Sequence, residues 1–208
     1  MLFRALDDPI YVILALVAFL ASTVVHEGSH ALMATALGDD TPRKSGQLTL
    51  NPLKHIDPFG FLMFALLGFG ILGRTPFNPS KLRPNPRTGT ALVAVAGPAS
   101  NLVLAILAGA LLKSGWATTP ELLRFLQIAA SINVILFVLN LLPIPGLDGF
   151  SALVNLVPGA LVPSLRGLER YGMMPLFLIL FLLPLIGLNP IGWVLGSLAS
   201  PLDRLIWR

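Results

Sequence analysis

Three apolar runs are each long enough to cross a lipid bilayer, and they limit what this chain can become. They are Pro9 to about Leu37 (apolar from Ile10 to Val25), Thr88 to Leu112, and Glu121 to Leu142. About 20 apolar residues in a helix cover a hydrocarbon core of roughly 30 Å. Inside lipid no water satisfies exposed backbone groups, so such runs must be helices that bond themselves internally. Composition agrees. The 208 residues are 55% hydrophobic and 12% charged, where a soluble domain carries about 25% charge. Mean hydropathy is +0.81.

The expected fold is an all-α polytopic membrane protein with three core transmembrane helices. Phe59 to Leu72 is apolar but short, and contains Gly60, Gly68 and Gly70; it suits a re-entrant or interfacial segment. Phe150 to Leu161 reads as a surface helix. Met173 to Leu188 and Ile191 to Leu202 form one or two C-terminal membrane segments, broken at Pro184, Asn189 and Pro190. No linker separates two cores, so residues 1–208 are expected to form one integral-membrane domain, with a core over 9–158 and C-terminal segments over 171–206.

The net charge of +4 lies mostly in the loops. That fits topology signals and contact with lipid headgroups, and no nucleic-acid partner is expected. Cysteine is absent, which excludes thiolate metal sites and leaves His and carboxylate as metal ligands. A cleaved leader is not expected, because the first apolar run carries the motif described next.

That motif is His26-Glu27-Gly28-Ser29-His30, near the far end of the first run. On a helix His26 and His30 lie one above the other, so both imidazoles can reach one zinc ion, with Glu27 placed to activate the attacking water. Ionisable groups in lipid are costly and mark function by default. A catalytic zinc needs one more protein ligand. Asp148 follows the third run in a loop bent by Pro143, Pro145 and Gly146, and reads either as that ligand or as the N-cap of the next helix. His55 is a second candidate, and reads otherwise as a structural hydrogen-bonding group in a polar loop. Ser29 is not a plausible nucleophile beside histidines committed to a metal.

At these residues the chain resembles the site-2 family of intramembrane zinc metalloproteases, in its compact prokaryotic branch without PDZ or CBS domains. The family's HExxH stands at residues 26–30 and its NxxPxxxxDG at Asn140 to Gly149. The likeness extends to Leu50–Pro58 and to Gly97-Pro98-Ala99-Ser100-Asn101. The resemblance implies one Zn2+ per chain held by His26, His30 and Asp148, Glu27 as catalytic base, and Asn140 stabilising the oxyanion. It implies an endopeptidase acting on transmembrane protein substrates in the bilayer, in regulated intramembrane proteolysis. The rival reading is a non-catalytic zinc-binding membrane protein: a transporter, a sensor or a degenerate protease.

A shared zinc also constrains topology. His26 lies about 26 Å along the first helix from Pro9, and Asp148 follows the third, so both ends must face one side. That favours a segment 59–72 that does not cross. It also gathers Arg43, Lys44, Lys54, Arg74, Lys81, Arg83, Arg87, Arg166 and Arg170 on one side, against Arg4, Lys113 and Arg124. By the positive-inside tendency the crowded side is cytoplasmic. The expected location is a prokaryotic cell membrane with the site near its cytoplasmic face. The sequence leaves the oligomeric state open.

Three minor features complete the reading. Gly97, Asn101, Ala105 and Gly109 recur every four residues, a small face that reads as helix packing with Asn101 as an interhelical hydrogen bond, or else as a direct role near substrate. Gln47 to Leu50 alternates like a short strand or is a plain loop. Trp116, Trp193 and Trp207 read as interface anchors.

Overall fold

All three long spans begin with the same local chemistry: a capping side chain followed by proline. Helix α1 (Pro9–Ala36) starts behind Asp8, whose Oδ1 accepts from Tyr11 N–H at 3.0 Å. Helix α2 (Pro86–Lys113) starts behind Asn85, which accepts from Thr88 N–H, and α3 (Pro120–Asn140) behind Thr119, which accepts from Leu122 N–H. In each case a side-chain oxygen satisfies an orphan donor, and proline fills a position whose missing N–H costs nothing. Gly38 follows α1 at φ +103°, the left-handed conformation that lets a helix stop. The computed structural model describes residues 8–55, 57, 58, 60–62, 73, 75–189, 192, 193, 196 and 197.

The three spans pack as one bundle, with α2 against both α1 and α3. At one end Arg124, near the start of α3, pairs with Asp8 at the start of α1. These helices therefore run parallel, with α2 antiparallel. At the other end Arg83 N–H, just before α2, donates to Leu37 O just after α1 at 2.9 Å. The chain thus leaves α1 and enters α2 at the same end of the bundle. Most of 59–72 lies outside the described residues.

Asp39, fully buried at that junction, accepts from Thr41 Oγ1 (2.6 Å), Thr41 N–H (3.0 Å) and Asn78 N–H (2.5 Å). Burial by itself would raise this carboxyl. The hydrogen bonds and Lys81 outweigh it and hold the group below the usual carboxylate range.

After α3 the chain turns through Pro143–Gly146, with Gly146 at φ +95°, into α4 (Asp148–Leu156). This helix opens two residues earlier than the expected Phe150, because Leu147 is extended and Asp148 takes the first helical position. It ends at Val157, held extended by the proline that follows. Helix α5 (Val162–Glu169) and the helical run α6 (Met174–Leu185) meet at a 66° bend. Counted together they make a fourth candidate span beside α1, α2 and α3. Met173 packs on Gly146, and Leu176 on Leu139 and Leu147. The C-terminal segment is thus fastened to the loop that carries Asp148.

Residues 47–50 form a plain loop with a bend at 48–49, and the described residues contain no strand. Trp116 and Trp193 are exposed, as interface anchors would be; Trp207 lies outside the described residues.

Candidate metal centre

Two motifs far apart in sequence meet where α1, α2 and α4 converge. His26 and His30 sit one turn apart on α1 with their Nε2 atoms 3.1 Å apart. Asp148 Oδ2 lies 3.0 Å from His26 Nε2 and 3.2 Å from His30 Nε2. Asp148 is therefore not a cap: the N-cap position is Leu147, and the carboxylate turns onto the histidines.

The other ring nitrogens are engaged. His26 Nδ1 is 2.6 Å from Asn101 Oδ1, and His30 Nδ1 is 2.7 Å from Val93 O. Both partners are acceptors, so each Nδ1 carries the hydrogen and each Nε2 presents a lone pair. Three lone-pair-bearing atoms within 3.0–3.2 Å of one another repel. A shared proton relieves one such contact, whereas a cation relieves all three. The edge of a tetrahedron with bonds of about 2.0 Å is about 3.3 Å, so the spacing fits zinc held by two imidazoles and a carboxylate, each imidazole backed by an acceptor.

Glycines allow these approaches. A Cβ on Gly97 would lie 2.3 Å from His30 Nε2 and 2.6 Å from His26 Nε2, so only glycine lets α2 cross α1 at this level. A Cβ on Gly149 would lie 2.3 Å from Leu141 O, so glycine after Asp148 is what seats α4 against the end of α3.

Glu27 is buried, and its Oε2 accepts from the Thr75 hydroxyl at 2.9 Å. The same hydroxyl lies 2.9 Å from Glu27 O, so its one hydrogen is shared between two acceptors. The histidines, Glu27, Asp148 and Asn140 line a cavity of about 500 Å³ whose remaining wall includes Phe19, Leu136 and Phe150. Asn140 reaches this cavity, but its Nδ2 donates to Leu136 O at 3.0 Å, so one of its two N–H bonds is turned onto its own helix. His55 is buried elsewhere, with Nε2 donating to Thr49 O at 2.7 Å, the structural role read from its loop.

The Thr75 contact and the identity of the Asn101 partner were not legible in the sequence. Thr75 lies between Arg74 and Pro76 in a loop with no motif. Asn101 makes the interhelical hydrogen bonds expected of it, to His26 on α1 and Asn133 on α3, but that one partner is a candidate ligand was not foreseen. The available signal for Asn101 was its position on the same small face as Gly97.

Residues 14–183 match the family model described as peptidase family M50. The chain is 39% identical over 193 residues to "Putative zinc metalloprotease YwhC" of Bacillus subtilis (strain 168), covering 86% of this chain and 87% of that protein. It is 38% identical over 153 residues to "Putative zinc metalloprotease Rip2" of Mycolicibacterium smegmatis, covering 68% of this chain and 56% of that protein. The Rip2 of Mycobacterium tuberculosis (strain H37Rv) is 34% identical over 197 residues, covering 88% and 71%. No solved structure matches. With three membrane-length helices and a family match across most of its length, the chain belongs to peptidase family M50 and is a membrane-embedded peptidase.

Proposed function

We propose that this chain is an intramembrane zinc endopeptidase, one domain over residues 1–208, that cleaves peptide bonds within or next to the transmembrane segments of membrane proteins in regulated intramembrane proteolysis. The observation that carries the reading is the meeting of His26 Nε2, His30 Nε2 and Asp148 Oδ2 within 3.0–3.2 Å, beside the buried carboxylate of Glu27. The relatives named as zinc metalloproteases support it.

His26, His30 and Asp148 would hold the ion. A bound zinc supplies Lewis-acid polarisation of the scissile carbonyl and acidifies the attacking water. Glu27 takes the proton from that water and passes it to the leaving amine. Asn140 has a second N–H bond with which to stabilise charge developing on the carbonyl oxygen. The apolar wall of Phe19, Leu136 and Phe150 suits the side chains of a membrane segment. The substrate must unwind locally, because a helical peptide bond is shielded and its carbonyl already bonded. The site lies near the cytoplasmic face of a prokaryotic cell membrane, on the side where the loop cations gather.

The test measures zinc content and cleavage of a transmembrane substrate by purified full-length protein. Glu27→Gln should keep zinc and lose cleavage, whereas Asp148→Asn should lower both. Zinc kept with full cleavage in Glu27→Gln would remove Glu27 from the chemistry. Full retention of both in Asp148→Asn would remove Asp148 from the ligand set.

A further inference from the structure

Behind the candidate ligands, four polar side chains form one hydrogen-bonded line through the bundle. It runs from His26 on α1 to Asn101 on α2, to Asn133 on α3 and back to Ser22 on α1. Asn101 Nδ2 donates to Asn133 Oδ1 at 2.8 Å, and Asn133 Nδ2 donates to Ser22 Oγ at 2.8 Å. Asn101, Asn133 and Ser22 are 0%, 2% and 2% exposed. An unpaired amide or hydroxyl is costly at such depth, and each of these groups has a partner within the protein.

The line can run in one direction only. An amide can in principle be turned over, exchanging its donor and acceptor. Asn133 cannot turn, because its Nδ2 also donates to Ala129 O at 2.9 Å and a turned amide would set two acceptors against each other. Ser22 cannot reverse either, because its hydroxyl hydrogen goes to Ala18 O at 2.7 Å, leaving it to accept from Asn133. With both ends anchored on backbone carbonyls, Asn133 must offer Oδ1 to Asn101. Asn101 must then offer its own Oδ1 to His26 Nδ1.

We propose that Asn133, anchored by Ala129 O and Ser22, is a positioning residue: acting through Asn101, it fixes the tautomer of His26 so that Nε2 is bare and faces the metal site. The proposal rests on His26 being a ligand. Asn101 Nδ2 has one other acceptor, Ser22 O at the long distance of 3.5 Å, so without Asn133 only this weak contact opposes turning its NH2 group towards His26 Nδ1. Such a turn favours the tautomer with hydrogen on Nε2, which cannot ligate until the hydrogen moves. Loss of a group that orients a ligand in this way typically weakens metal affinity by about ten- to a hundredfold.

The chain has three histidines, so 15N-histidine labelling of the full-length protein in detergent gives an assignable spectrum. His55 serves as an internal reference. In chelator-treated wild type, His26 should show a protonated Nδ1 and a bare Nε2. Asn133→Leu, which removes the acceptor for Asn101, should shift His26 towards the Nε2-protonated form and weaken zinc binding about tenfold or more in a chelator competition. Asn133→Asp, neutral at this depth, can donate its hydroxyl to Ala129 O and keep its carbonyl oxygen for Asn101, so it should preserve the wild-type tautomer. Unchanged His26 nitrogen shifts in Asn133→Leu would overturn the relay. So would equal weakening of zinc binding in both variants with wild-type shifts, the signature of a merely structural amide. If Asn133→Leu does not fold, Asn133→Ala takes its place, with the same shift of His26 expected and unchanged His26 nitrogen shifts overturning the relay. The ligand reading fails separately, if His26→Ala leaves zinc affinity unchanged.

Discussion

As the proposed base, Glu27 would have to be both aimed and mobile enough to pass a proton, and the Thr75 hydroxyl is the group hydrogen-bonded to its carboxylate. Removing that hydroxyl while keeping its volume, as in Thr75→Val, should lower kcat by roughly ten- to a hundredfold, the usual consequence of a small misplacement at a reacting group. Zinc content should stay at the wild-type level, and Thr75→Ser should restore most of the activity. Zinc loss in Thr75→Val would mean that the hydroxyl supports the fold of the site and not the base. At this scale the sequence offers the candidate residues but not their supports. His26, Glu27 and His30 follow from helical spacing, because four residues make one turn. Thr75 does not, because no local period relates a loop hydroxyl to a helix 48 residues away.

The helices were legible because each carries its own start signal and enough apolar length. What the pattern could not supply was how closely they cross. Gly97 sits where α2 passes over the imidazoles, and Gly97→Ala would place a methyl group 2.3 Å from His30 Nε2. The variant should weaken zinc binding about tenfold or more and lower stability by about 1–3 kcal/mol, as overpacking does. Chelator competition and thermal unfolding read the two effects. The start of α4 was placed two residues late because the close approach of Gly149 to Leu141 O has no local sequence period. Asp39 ties the end of α1 to the segment 75–82 that carries Thr75. Its folded-state pKa is depressed, so the folded protein binds fewer protons there than the unfolded chain. The stabilisation is present above the unfolded value of about 3.9 and is lost as pH falls through the folded one. Asp39→Asn should therefore flatten the stability profile below about pH 4, and lose about 1.5–3 kcal/mol at pH 7, the range for hydrogen bonds to a charged group. A profile with the wild-type slope would show that other carboxylates set the acid limit.

For the whole molecule, the parallel run of α1 and α3 matches the topology that a shared ligand set demands, an argument available from sequence because two distant motifs had to reach one depth. The start of α2 beside the end of α1 adds that loops 39–55 and 75–85 share a side. The natural chain has no cysteine, so single cysteines at the exposed Ser45, Ser80 and Ser114 can be labelled without background. In cells, the Ser45→Cys and Ser80→Cys variants should resist a membrane-impermeant reagent, and Ser114→Cys should react. Opposite behaviour of Ser45→Cys and Ser80→Cys would contradict the bundle, and reaction of both would reverse its orientation. The central claim, cleavage in the membrane by a Glu27-dependent zinc site, is tested most directly by comparing new protein termini in membranes of cells making the wild type and Glu27→Gln. The account predicts termini that depend on Glu27 and map within or beside apolar spans of about 20 residues; termini confined to water-soluble domains, or identical in the two strains, would contradict it.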